Sequence, residues 1–134
     1  MIVTRETDYA LRILRALRDG ERYSISEITE KEFIPKQFAY KILQKLTKAN
    51  LIEATRGAKG GCKLSTDLSR INLYDLIGII DNKRNTLIQC MDPDFDCPYR
   101  EDNDGCNVHR KLAAIESGID RELRSHSLAE LILD

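Results

Sequence analysis

A mainly helical chain with one small β hairpin is what this sequence predicts, and three observations carry the expectation. Apolar residues recur at three- and four-residue steps along most of the chain. One pair of short alternating runs flanks a turn with three glycines, and serine or asparagine stands where several helical runs would need a cap. At 134 residues the chain can form one compact domain, or a small domain plus an element that docks on a partner; the second is expected. The net charge of −1 hides an asymmetry. Residues 1–66 carry 13 Lys/Arg against 8 Asp/Glu, whereas residues 67–134 carry 8 against 14. A basic half beside an acidic half suggests a nucleic-acid-binding module joined to something else.

The first helix is predicted over residues 5–18, where Tyr9, Ala10, Ile13, Leu14 and Leu17 make one apolar face and Asp19-Gly20 ends it. Ser24 stands three residues before Glu27, which is capping-box spacing, and Ile25, Ile28 and Phe33 follow at loosely helical steps. A short second helix therefore fits residues 25–32. Pro35 cannot continue it but can open another, so Phe33-Ile34 is expected to be a tight turn and residues 35–49 a third helix. Two short helices so joined are a helix-turn-helix candidate. On the third helix Phe38, Ile42, Leu43 and Leu46 face the first two, which leaves Gln37, Tyr40, Lys41, Gln44, Lys45 and Lys48 outward. Gln and Lys supply donors for base edges and phosphates, and Tyr adds a flat amphipathic contact.

Residues 51–55 and 62–65 alternate like strands around RGAKGG. A hairpin directly after a helix-turn-helix is a wing, with Arg56 and Lys59 at its tip suited to phosphate or minor-groove contacts. The expected architecture is thus a winged helix-turn-helix domain over residues 1–66, followed over 67–134 by a cysteine-bearing loop and dimerisation helices. Asn72 can cap a helix with Leu73, Leu76, Ile77 and Ile80 on its apolar face. Val108, Leu112, Ile115, Ile119 and Leu123 then mark the stripe of a long helix, which a small winged domain with apolar faces of its own leaves available for dimer packing. Ser127 and Glu130 form a last capping box for LAELIL.

Between these helices lies CMDPDFDCPYREDNDGCNVH, with Cys90, Cys97, Cys106 and His109 inside twenty residues filled otherwise by loop-forming types. Thiolates bind soft or borderline metals, imidazole suits zinc or iron, and iron–sulfur clusters are held mostly by cysteine with occasional histidine. An iron–sulfur site is the first expectation. A disulfide is disfavoured because no apolar signal segment or spanning run of about 18 residues is present, which points to a reducing cytoplasm. Structural zinc usually closes its loops with cysteine pairs two to four residues apart, and the gaps here are longer. Six carboxylates, among them Asp92, Asp94 and Asp96, surround the thiols and would hold such a cluster at low reduction potential. No catalytic triad or paired-carboxylate arrangement is apparent, so neither an enzyme nor a small-molecule substrate is expected.

The order TDYALR, KILQKLTKANLIEATRGAKGG and then a three-cysteine loop resembles the winged-helix iron–sulfur transcription regulators that include IscR, NsrR and RirA. The resemblance implies a homodimer that binds operator DNA and changes affinity with the state of its cluster, sensing iron, nitric oxide or redox state. A zinc- or thiol-based regulator on the same scaffold is the alternative, and a small iron–sulfur electron carrier the more distant one. Gaps between the cysteines are wider than in the IscR pattern; a 2Fe-2S cluster is favoured and a 4Fe-4S cluster kept open. Cys62 replaces the usual aromatic or aliphatic after the wing glycines and reads as a packing residue. For the fourth ligand, His109 matches the Cys-x-x-His arrangement of the IscR type, while Asp8 matches an NsrR-type aspartate that reaches the cluster of the partner subunit. His109 is preferred, because a nearby ligand loses less chain entropy than one delivered across an interface.

Overall fold

The computed structural model describes residues 2–82 and 86–133. Helix α1 (Arg5–Ala16) starts where the Thr4 hydroxyl accepts the Thr7 N–H, and it stops two residues short of the expected Arg18. The capping box of α2 (Ile25–Glu32) forms as the spacing requires, with Ser24 and Glu27 exchanging both bonds at 3.1 Å. Helix α3 (Lys36–Lys48) begins one residue later than expected, because Pro35 takes the extended N-cap position (φ −61°, ψ 131°) instead of the first helical one. Phe33-Ile34 forms the expected tight turn, with Phe33 left-handed. Phe33 does not join the apolar run of Ile25 and Ile28 but stands in solvent, while Ile34 beside it is buried.

Strands β1 (Ile52–Thr55) and β2 (Gly61–Leu64) pair antiparallel from Ile52 opposite Leu64 to Thr55 opposite Gly61. Leu51 lies outside β1 because its N–H caps α3 at Leu46 O. Tyr23 adds a bridge to Cys62, with bonds of 2.9 and 2.8 Å, so the wing is stitched to the residue just before the α2 cap. That stitch demands glycine at position 61, where φ is +141° and a Cβ would meet Tyr23 O at 2.5 Å.

Helix α4 (Leu73–Asp81) starts at an Asn72 cap, as its sequence suggests. Within the polar loop a five-residue helix, α5 (Pro98–Asp102), was not expected; Pro98 pre-sets its first turn. Helix α6 (Asn107–Ser125) follows, and α7 (Leu128–Ile132) closes the chain with both bonds of its capping box present. The return from α6 is pinned to the start of α4 by Leu128 N–H to Ile71 O at 2.8 Å and Leu73 N–H to His126 O at 3.2 Å.

One apolar core takes side chains from both sides of Thr66. Ala10, Ile13, Leu14, Ile28, Ile42, Leu46 and Ile52 meet Leu68, Leu76, Ile80, Leu128 and Ile132 in it. Each buried Ile or Leu among them contributes roughly 1.5 to 3 kcal/mol of transfer free energy, so α4 and α7 hold the three-helix head together as well as carrying the loop and α6. The whole is a winged helix-turn-helix with a long helix set beside it.

Candidate cysteine site and nucleic-acid face

The cysteine loop leaves α4 and returns through α5 to the first turn of α6. Cys90 lies in a single 3-10 turn (Gln89–Met91), with its sulfur 3.3 Å from His109 Nδ1. Cys97, the residue before α5, opens with Cys90 and His109 onto one cavity of about 520 Å³, whose rim includes Asp92, Asp96, Arg100 and Glu101. Cys106 is the N-cap of α6, and its sulfur accepts the His109 backbone N–H at 3.5 Å. All three thiols are half-buried and unpaired. The structure thus brings Cys90, Cys97 and His109 to one cavity and ties Cys106 to it through the His109 backbone. Among the described residues no three metal-binding side chains stand as a closed cage. In donor chemistry, two thiols and an imidazole on an acidic-rimmed cavity, with the Cys106 thiol against the His109 backbone, fit an iron–sulfur cluster.

Asp8 sits elsewhere. Its carboxylate pairs with Arg12 one turn along α1 at 3.0 Å, and it lines a separate 240 Å³ cavity formed with Leu73, Leu131 and Ile132. Within one chain it does not reach the cysteines. Cys62 is buried in the core, and burial pushes its thiol above its ordinary value, with the Arg22 charge opposing. Cys62 lies outside the cavity that Cys90 and Cys97 share, and its backbone is bonded to Tyr23.

On the head, Gln37, Tyr40, Lys41 and Gln44 are exposed along α3, and Arg56 and Lys59 are exposed at the wing tip. A groove of about 750 Å³ runs between the helix and the wing, lined by Tyr40, Gln44, Lys48 and Arg56 and by the α2 start at Ser24 and Ser26. The wing is held at this angle by Arg22, which sequence reasoning missed. Its guanidinium donates to Thr55 Oγ1 at 2.9 Å, to Gly61 O at 3.0 Å and to Glu53 Oε1 at 3.0 Å.

Two of the lysines are not free donors. Lys41 Nζ lies 2.7 Å from Glu6 Oε1, and Lys45 Nζ lies 3.0 Å from Glu6 Oε2 while also donating to Ile80 O at the end of α4. Next to it, the Thr4 and Thr7 hydroxyls donate to Asp81 at 3.0 and 3.2 Å. The reading helix is therefore tethered, through the start of α1, to the end of the helix from which the cysteine loop departs. The hydrogen bonds from Lys41 and Lys45 hold the Glu6 carboxyl below its usual value of 4.5. A carboxylate lowered in the folded state stabilises above its unfolded pKa and loses that contribution as pH falls through the folded value, so the tether is intact at neutral pH. Phosphate approaching Lys41 must displace Glu6. Glu6→Gln is accordingly expected to raise operator affinity by up to about fivefold, the worth of roughly 1 kcal/mol for a partly exposed ion pair, and to steepen its salt dependence. Titrations over a range of salt concentrations check this; unchanged affinity and slope would mean that Lys41 does not meet phosphate.

Helix α6 buries none of its predicted stripe: Val108 is 59% and Ile115 54% exposed, and Leu112, Ile119 and Leu123 are only half-buried. Its one buried side chain is Glu116, whose carboxylate accepts the Leu87 N–H at 3.1 Å, and Arg124 stacks over the Tyr74 ring at 3.7 Å. Arg124 thus joins α6 to α4 and Glu116 joins it to the segment beyond α4, while Val108 and Ile115 of the apolar face stay exposed.

A helix-turn-helix with a reading face, a wing with basic residues at its tip and an unpartnered apolar helix define a DNA-binding transcription regulator. The comparisons agree. The family model Rrf2, described as an iron-dependent transcriptional regulator, matches residues 3–134, and the chain belongs to that family of transcription regulators. It is 30% identical over 135 residues to protein aau3 of Rhizobium meliloti (strain 1021), which spans 98% of this chain and 85% of that protein. Among solved structures it resembles CymR, the global cysteine regulator of B. subtilis, with a TM-score of 0.74, 20% identity and coverage of 98% and 96% of the two chains. It also resembles T. potens IscR, with a TM-score of 0.66, 21% identity and coverage of 98% and 86%. At such identities these two likenesses show the fold. No described helix is long and apolar enough to cross a membrane.

Proposed function

We propose that this regulator is a cytoplasmic homodimer whose hold on operator DNA is set by an iron–sulfur cluster at Cys90, Cys97, Cys106 and His109. The observation that carries the proposal is the convergence of Cys90, Cys97 and His109 on one cavity, with Cys90 Sγ 3.3 Å from His109 Nδ1. When bound, the cluster supplies a centre that iron supply, nitric oxide or oxidation can alter. The chain's own residues supply the consequences. Three ligands are thiols and the fourth an imidazole on the first turn of α6, an uneven set in which the histidine is the most readily displaced. Cys106 both caps α6 and ligates, so a change at the site changes the start of the helix that carries the dimer stripe. Residues 1–66 then provide the DNA-reading part of the chain, and residues 67–134 the sensing and dimerising part, on a common core.

Protein purified without oxygen should show visible absorption, iron and acid-labile sulfide, all lost together in Cys90→Ala. A second proposal, a zinc- or thiol-based switch on the same scaffold, is favoured by three half-buried, unpaired thiols. It predicts colourless protein, containing zinc or else no metal, whose operator affinity follows thiol oxidation.

On the DNA side, Gln37, Tyr40 and Gln44 would meet base edges, and Lys41, Arg56 and Lys59 phosphates or the minor groove. A dimer should recognise a roughly palindromic site with half-sites about one helical turn apart. Lys59→Ala is expected to weaken all sequences alike and lower the salt slope by roughly one charge, whereas Gln44→Ala should alter base preference at a cost of about 1 to 3 kcal/mol. Binding measured on a panel of single-base operator variants distinguishes the two. Uniform weakening by both would remove Gln44 as a base reader.

A further inference from the structure

We propose that Phe33 is a DNA-contact residue whose ring packs on thymine methyl groups at the edge of the major groove, and that the chain holds it there against backbone strain. The proposal rests on operator binding. Among the described residues three other than glycine have positive φ: Phe33, Asn50 and Asn82. Asparagine adopts the left-handed region readily, whereas for a bulky residue it is an outlier. Phe33 holds it at φ 55°, ψ 49° as the C-cap of α2. The residue is 84% exposed, so packing on the core does not compensate. Single exposed apolar residues are ordinary on protein surfaces, and exposure alone would mean nothing. Exposure joined to strain, where glycine or asparagine would avoid both, marks a side chain kept for what it touches outside the fold.

The turn gives it no freedom to retreat. Thr29 O accepts the Ile34 N–H at 3.0 Å, and Ile34 is buried in the core, so the backbone on the far side of Phe33 is fixed. Two residues on, Pro35 takes the N-cap position of α3, whose first turn exposes Lys36 and Gln37. In a helix-turn-helix the second helix enters the major groove with its N-terminal residues, so the turn before it borders the same groove. Lys31 and Lys36 on either side match the phosphate charge there. The apolar groups that the major groove offers a phenyl ring are the thymine 5-methyls.

The test uses the full-length protein and a duplex that the wild type selects from a random pool, prepared with thymine or with deoxyuridine in its place. Phe33→Asn should raise the melting temperature by a few degrees, since it relieves strain and exposes no new apolar surface. It should weaken binding to the thymine duplex at least fivefold with an unchanged salt slope. Replacing thymine by deoxyuridine should weaken the wild type by a similar factor and leave Phe33→Asn unaffected. Undiminished binding by Phe33→Asn, or equal sensitivity of both proteins to deoxyuridine, overturns the contact. A melting temperature no higher than wild type overturns the strain. Failure of the wild type to select any duplex would remove operator binding itself and this contact with it, whereas normal selection with an indifferent Phe33→Asn removes the contact alone.

Discussion

Glutamate introduced at Ile115 is expected to give monomers at micromolar concentration and to lower operator affinity by two or more orders of magnitude. Ile115 is 54% exposed and Val108 59%, on a helix that fully buries no apolar residue, so the chain's own packing covers the stripe from Val108 to Leu123 only in part. Against a second copy the stripe would be dry, and an unpaired carboxylate there carries a desolvation cost that association cannot easily offset. Operator affinity falls because two linked heads bind two half-sites with an effective-concentration gain of about 10²- to 10⁴-fold that separate monomers lack. Sedimentation at several concentrations reads the first effect and titration of a palindromic duplex the second. A variant that remains dimeric would place the dimer contact on another face.

His109→Ala should release iron much faster than wild type and alter the visible spectrum, whereas Asp8→Ala should leave both unchanged. The geometry gives each residue a different task. His109 faces Cys90 across 3.3 Å, while the Asp8 carboxylate is engaged by Arg12 at 3.0 Å in a different cavity. An imidazole close to the thiols needs little ordering to ligate, but Asp8 would have to leave its ion pair and be delivered by a partner. If Asp8→Ala shortens cluster lifetime and His109→Ala does not, the assignment reverses.

What the sequence discloses about this fold is what short-range chemistry writes into it. Ser24 with Glu27 and Ser127 with Glu130 form their boxes because the partners are three residues apart, and the wing follows from alternation around RGAKGG. The crowding of the thiols and His109 into one loop is legible from spacing, and the fold brings Cys90, Cys97 and His109 of that set to one cavity. The tether is not legible. Glu6 meets Lys41 and Lys45 across 35 and 39 residues, and Thr4 meets Asp81 across 77, distances over which no local pattern carries information. Arg22 and the wing backbone are hidden for the same reason. Helix α5 has five residues and no apolar period to announce it. Glu116, between stripe positions Leu112 and Ile119, reads as solvated; only the fold brings the Leu87 N–H to it. The turn at Phe33-Ile34 is legible from Pro35, but spacing cannot show that Phe33 takes the left-handed backbone and leaves its ring in solvent.

The central claim is that the cysteine site controls DNA binding, and one titration tests it most directly. Affinity for a selected operator duplex is measured under anaerobic conditions on the same preparation before and after removal of iron by chelation, with Cys90→Ala treated in parallel. A change of tenfold or more in the wild type, corresponding to about 1.4 kcal/mol of coupling, and no response to chelation in Cys90→Ala are predicted. Equal affinity of the wild type before and after iron loss would contradict it.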